Sequence, residues 1–152
     1  MMKSIISLIL AVFFFISAAP VPAKEMSKQG QDDNYISYDN GIVYDEKTNL
    51  EWIVGPDKDI SWDNAKKWAE DLSVEGGGWR LPTIEELQTL YIKGSGESNM
   101  TPLLKMTGGS VWSGETQGEL KAWRFSFIEG HQEWVQRSHS FYDRTFAVRV
   151  RK

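Results

Sequence analysis

Few residues in this chain have the types and spacing for chemistry. No cysteine occurs among the 152 residues, so thiolate catalysis and disulfides are both excluded. The two histidines, His131 and His139, are the only bases available to a hydrolytic triad. They fall in or beside the last hairpin, near Arg137 and Ser138, and no activated-nucleophile motif accompanies them. They read as solvated hairpin residues, and no catalytic residue is assigned. Carboxylates gather at Asp32 and Asp33, and again at Asp57 and Asp59. Neither group has the ligand number or spacing of a calcium loop, so no metal is expected. Gly76, Gly77 and Gly78 lead into a strand and do not open a helix, which is the wrong geometry for holding phosphate. No cofactor is expected.

The chemistry that remains is recognition. Arg124, Trp134, Arg137 and Tyr142, with Arg144 nearby, form an aromatic and basic set towards the C-terminus. Tryptophan and arginine dominate binding hot spots, and aromatic faces stack on sugar rings. Ligand binding is therefore placed at Arg124, Trp134, Arg137 and Tyr142. The same residues also suit packing, since Trp123 and Trp134 can lie opposite each other across a hairpin. Arg80 and Glu86 read as structural, the arginine stem packing and the carboxylate capping a helix. The net charge of −4 argues against nonspecific binding to nucleic acid or to anionic membranes.

These residues must be held by strands and two helices. The organising stretch is Trp79-Arg80-Leu81-Pro82-Thr83, a buried strand running into a helix. Thr83 and Glu86 have the spacing of a capping box, and Ile84, Leu87 and Tyr91 then share one face. Pro82 keeps Leu81 out of helical geometry. Upstream, strands at 35–38 and 42–44 flank an Asn-Gly turn, and a third strand covers 50–54. Ser61 is the expected N-cap of a helix over 62–72, with Trp62, Ala65, Ala69 and Leu72 inward. Residues 93–120 form a long connection, with a helical turn at 101–104, a strand at 111–113 holding Trp112, and a loop over 114–119. Strands at 122–128, 132–137 and 146–151 close the chain, with Phe146, Val148 and Val150 facing in.

The N-terminus stands apart. A basic start, an apolar run over 5–19 and small residues at Val21 and Ala23 have the form of a Sec signal peptide cut ahead of Lys24. The run is too short for stable membrane insertion, and without a cysteine it is not a lipoprotein signal. The organisation expected is a signal peptide at 1–23, a flexible polar leader at 24–34 and one domain at 35–152. The location expected is periplasmic or secreted.

The segment from Asp45 to Trp52, the helix from Trp62, the Trp79 to Leu87 signature, and Val111-Trp112-Ser113 with the last strand together resemble the Lcl C-terminal domain family. That family is named from a bacterial collagen-like adhesin. Trp62, Trp79, Arg80, Leu81, Pro82, Thr83, Glu86 and Trp112 carry the motif. The resemblance implies an α+β, C-type-lectin-like fold: two helices packed on small antiparallel sheets with a long loop region. It also implies binding of anionic polysaccharide. The Arg-Leu-Pro-Thr-x-x-Glu pattern is similar to one in formylglycine-generating enzymes, whose catalytic cysteines are missing here. Ala69 stands where many family members have a cysteine, apparently paired with one in the last strand. The function expected is an exported, non-catalytic binding module recognising a glycan or an envelope protein. The alternatives are a distantly related enzyme and a structural envelope subunit.

Overall fold

Two sheets and two helices account for residues 25–152, the part that the computed structural model describes. The fold is α+β. The expected signal peptide lies outside the described residues.

The first sheet grows from local turns. β1 (Lys28–Asp32), β2 (Tyr35–Tyr38), β3 (Val43–Asp45) and β4 (Leu50–Val54) pair in sequence as antiparallel neighbours. β9 (Phe146–Val150) closes the sheet against β4. In the Asn-Gly turn only Gly41 takes a positive φ, 84°. Asn40 instead uses its side chain to accept the Ile42 N–H at 3.2 Å. In the next turn Asp45 accepts from the Lys47 N–H and the Thr48 hydroxyl, at 2.9 and 2.6 Å.

β1 departs from the expectation of a flexible leader over 24–34. Its sequence has no apolar alternation, but the open edge of β2 offers backbone partners. The Thr101 hydroxyl also donates to Asp32 at 2.6 Å and pins its end.

Both faces of β4 and β9 are covered. Leu50, Trp52, Phe146 and Val148 join one apolar cluster with Ile84, Leu87 and Leu90 of α2 (Ile84–Leu90). Ile53 and Ala147 join a second with Trp62, Ala65 and Ala69 of α1 (Trp62–Glu70) and with Trp79 and Trp112. Val150, expected to face in, is 58% exposed, at the last pair of the ladder opposite Leu50.

α1 ends earlier than the 62–72 expected. Ser61 holds the N-cap position, but its side chain makes no capping bond. The Trp62 N–H donates instead to the Arg137 carbonyl at 3.0 Å, tying the helix start to the last hairpin. α2 has the full capping box: the Glu86 N–H donates to Thr83 Oγ1 at 3.1 Å, and the Thr83 N–H donates to Glu86 at 2.8 Å. The 101–104 stretch makes a single turn, with the Leu104 N–H on the Thr101 carbonyl.

The second sheet holds β5 (Ser110–Gln117), β6 (Lys121–Ser126), β7 (His131–Gln136) and β8 (Asp143–Arg144), in the order β7-β6-β5-β8. β8 runs parallel to β5 and the other pairs are antiparallel. β5 continues to Gln117, into the stretch expected as a loop over 114–119, with its register interrupted between Trp112 and Thr116. An interruption of that kind lets a strand bend and resume pairing. Trp112 is fully buried and its indole N–H donates to the Ile60 carbonyl at 2.8 Å.

Candidate functional site

The last hairpin decides where the candidate residues point. Successive strand side chains alternate between faces. Trp123 lies opposite Trp134, and Arg124 opposite Glu133. Trp134 therefore shares a face with Trp123, while Arg124 projects from the other. The aromatic and basic set expected as one surface is split between two.

On the Arg124 face the charges close on one another. The Arg124 side chain is only 14% exposed. It donates to Glu133 Oε1 at 2.9 and 3.1 Å and to Asp143 Oδ1 at 2.6 Å. Asp143 is fully buried, and its other oxygen lies 2.7 Å from His139 Nδ1. Burial pushes the Asp143 carboxyl up, and the bonds from His139 and Arg124 recover only part of that shift. His139 is thus tied to a buried acid and is more than the solvated hairpin residue expected. His131 remains exposed, 3.4 Å from Glu129.

Arg137 is also engaged. Its guanidinium stacks 4.3 Å above the Trp62 ring, donates to the Glu119 carbonyl at 2.9 Å and pairs with Asp63. Arg144 holds Asp57 and Asp59 at 2.7 and 2.8 Å, which explains those loop carboxylates without a metal. Among the described residues no group of three or more His, Cys, Asp or Glu is placed to hold a metal ion. Tyr142 sits elsewhere, 52% exposed, with φ at 63° and its ring 4.7 Å edge-on to Phe141. Arg80 and Glu86 form a bidentate pair at 2.7 and 2.8 Å, and the Arg80 side chain is 46% exposed.

The Trp134 face is open. The Trp123 and Trp134 ring centroids are 4.7 Å apart at 45°, and Trp134 is 43% exposed. Lys121 Nζ lies 5.9 Å from the Trp134 ring. Trp123 also lines a cleft of about 290 Å³ with Ile84, Glu85, Gln88, Glu115 and Gln132. Its walls come from α2, β5 and the hairpin. Gln88 Nε2 donates to Gln132 Oε1 at 2.7 Å across it. Glu115 Oε2 accepts the Ile84 N–H at 2.7 Å, which fixes that carboxylate at the start of α2.

The sequence reading reached Trp123 and Trp134 but missed Glu85, Gln88, Glu115 and Gln132. Gln132 has the two-residue spacing from Trp134 that places it on the same face. Gln88 and Glu115 carried no signal, because only tertiary packing lays α2 across β5 and β6.

The family model of the Lcl C-terminal domain matches residues 41–149, from the Asn-Gly turn through most of β9. No curated protein matches the chain.

Proposed function

The chain belongs to the Lcl C-terminal domain family, and from that premise we propose that it is an exported, non-catalytic binding module of C-type-lectin-like fold. Its ligand is a glycan, bound at the cleft beside Trp123 and Trp134. One observation carries this reading: a tilted, partly exposed tryptophan pair of which one member, Trp123, lines a preformed cleft. Indole faces gain little from facing water and stack well on the C–H faces of sugar rings. The cleft is near the small end of the usual ligand-pocket range, about 300–1,000 Å³, which suits a few sugar units. The Gln88 and Gln132 bond across it holds two amides in place before any ligand arrives.

A second reading, an envelope-protein partner, draws on Phe141 and Tyr142. Both are exposed, and Tyr142 holds a left-handed backbone that a bulky residue adopts only under constraint.

Titration with an oligosaccharide panel, followed by tryptophan fluorescence, separates the two. Binding that Trp134→Ala removes and Tyr142→Ala leaves intact supports the glycan reading. No binding by any oligosaccharide, together with a co-purifying protein that Tyr142→Ala releases, transfers the function to Phe141 and Tyr142. Bound oligosaccharide should be recovered unaltered, and any turnover would overturn the non-catalytic assignment. Export is tested by sequencing the N-terminus of mature protein, which should begin at Lys24.

A further inference from the structure

The Trp134 cleft also carries information on ligand charge. All six arginines of the chain lie in the described residues, and each is bound to a carboxylate. Arg80 holds Glu86, Arg124 holds Glu133 and Asp143, and Arg137 holds Asp63. Arg144 holds Asp57 and Asp59, while Arg149 and Arg151 both approach Glu51. A sulfate or carboxylate ligand held by an arginine must take the guanidinium from one of these acids. At Arg124 that would strip a direct partner from the fully buried Asp143, a strongly unfavourable exchange.

The cleft itself offers an anion nothing better. Its charged lining groups are Glu85 and Glu115, both exposed carboxylates. Lys121 Nζ lies 5.9 Å from the Trp134 ring and, like Trp134 itself, stands outside the residues that line the cleft. Like charges in a cleft repel an anionic ligand before contact.

The same groups suit hydroxyls. Carboxylates only accept hydrogen bonds, and a sugar hydroxyl can donate where a sulfate cannot. The Gln88 to Gln132 bond leaves Gln88 its carbonyl oxygen and Gln132 both amide hydrogens, a ready acceptor and donor side by side.

We propose that the cleft between α2 and the last hairpin takes an uncharged, hydroxyl-rich glycan and rejects sulfated and carboxylated ones. This rests on the reading of the Trp134 cleft as the ligand site. The ligand's ring stacks on the tryptophan pair, and its hydroxyls bridge Glu85 or Glu115 to the two glutamines.

The test is isothermal titration of the mature protein with cellohexaose, N-acetylchitohexaose and a heparin-derived hexasaccharide. At least one neutral hexasaccharide should bind, and Trp134→Ala should weaken it more than about tenfold, as loss of a hot-spot aromatic does. Its affinity should change by less than about twofold between roughly 50 and 500 mM salt, because no ion pair is formed. The heparin fragment should bind at least about tenfold more weakly than that neutral sugar. Glu85→Lys, an exposed change, should strengthen heparin binding at low salt by relieving the repulsion. A heparin fragment that binds as tightly as the neutral sugars, with Trp134→Ala abolishing it, would keep the cleft and overturn the charge assignment. Binding of every sugar that survives Trp134→Ala, or no binding at all, removes the cleft reading and this inference with it.

Discussion

Glu86 shows how one side chain serves three donors. Its Oε2 accepts from the Thr83 N–H and from Arg80 at 2.8 Å, and its Oε1 accepts from Arg80 at 2.7 Å. Burial alone would raise the carboxyl, but the bonds from Arg80 and Thr83 outweigh it and hold the group below its ordinary value. The unfolded chain then binds the proton more readily than the folded one, so stability rises with pH through this window. The contribution is complete above the unfolded value of about 4.3 and is lost as pH falls through the folded one. Glu86→Gln should flatten the acid limb of a plot of melting midpoint against pH. Asp143, raised by burial, works in the opposite sense, so comparing variant with wild type isolates Glu86. An unchanged acid limb would mean that Arg80 and the cap do not depend on the charge. Thr83→Ala removes the other half of the box and should cost about 1 kcal/mol in a denaturant melt at constant m.

At the scale of elements, β4 and β9 fasten the short 3-10 helix Val74–Gly76 and the glycine that follows it. Glu51 and Arg149 face each other in the ladder, both buried, at 2.8 Å. Arg149 Nη1 also donates to the carbonyls of Val74, Glu75 and Gly77 at 3.2, 2.9 and 2.7 Å, with its guanidinium 4.3 Å above Trp79. One arginine thus anchors the turn that feeds Trp79 and Arg80, where the strand expected over 79–83 is reduced to a single bridge between Arg80 and Val148. Arg149→Met should cost about 3 kcal/mol, the low end for orphaning a buried charge, since Arg151 lies 3.8 Å from Glu51. Breaking the more exposed Arg80 pair should give a smaller loss. Urea melts of both variants would compare them, and equal costs would contradict the burial argument.

The elements legible in sequence were those with local signals: the capping box, the Asn-Gly hairpin and the alternation of β6. β1 was hidden because its polar residues acquire a strand only from the edge of β2. The far half of β5 was hidden by an irregular register. The pairing of Trp123 with Trp134 was open in sequence as well, and alternation then puts Arg124 on the other face. The acids that neutralise Arg124 and Arg137 include Asp143 and Asp63, 19 and 74 residues away, a separation that no motif spans.

For the whole molecule the question is whether two apolar clusters make one folding unit. Trp52 belongs to the first, and Trp62, Trp79 and Trp112 to the second. They are not independent, because adjacent residues of β4, of β5 and of β9 point into different clusters. Val111 enters the first while Trp112 enters the second, and Phe146 and Ala147 divide in the same way. A strand cannot lose one face and keep its backbone in place for the other, so melting either cluster should melt both. Tryptophan fluorescence weights the second cluster, whereas far-ultraviolet circular dichroism follows all the strands and helices. The two transitions should coincide in urea, as a two-state domain requires. Trp112→Ala should cost about 3–5 kcal/mol through the cavity it leaves, a large part of the roughly 5–15 kcal/mol typical of a domain. Because the clusters share strands, both probes should shift to lower urea together. A fluorescence midpoint that falls while the dichroism midpoint stays would show the α1 side melting alone, and would separate the molecule into two units that share strands.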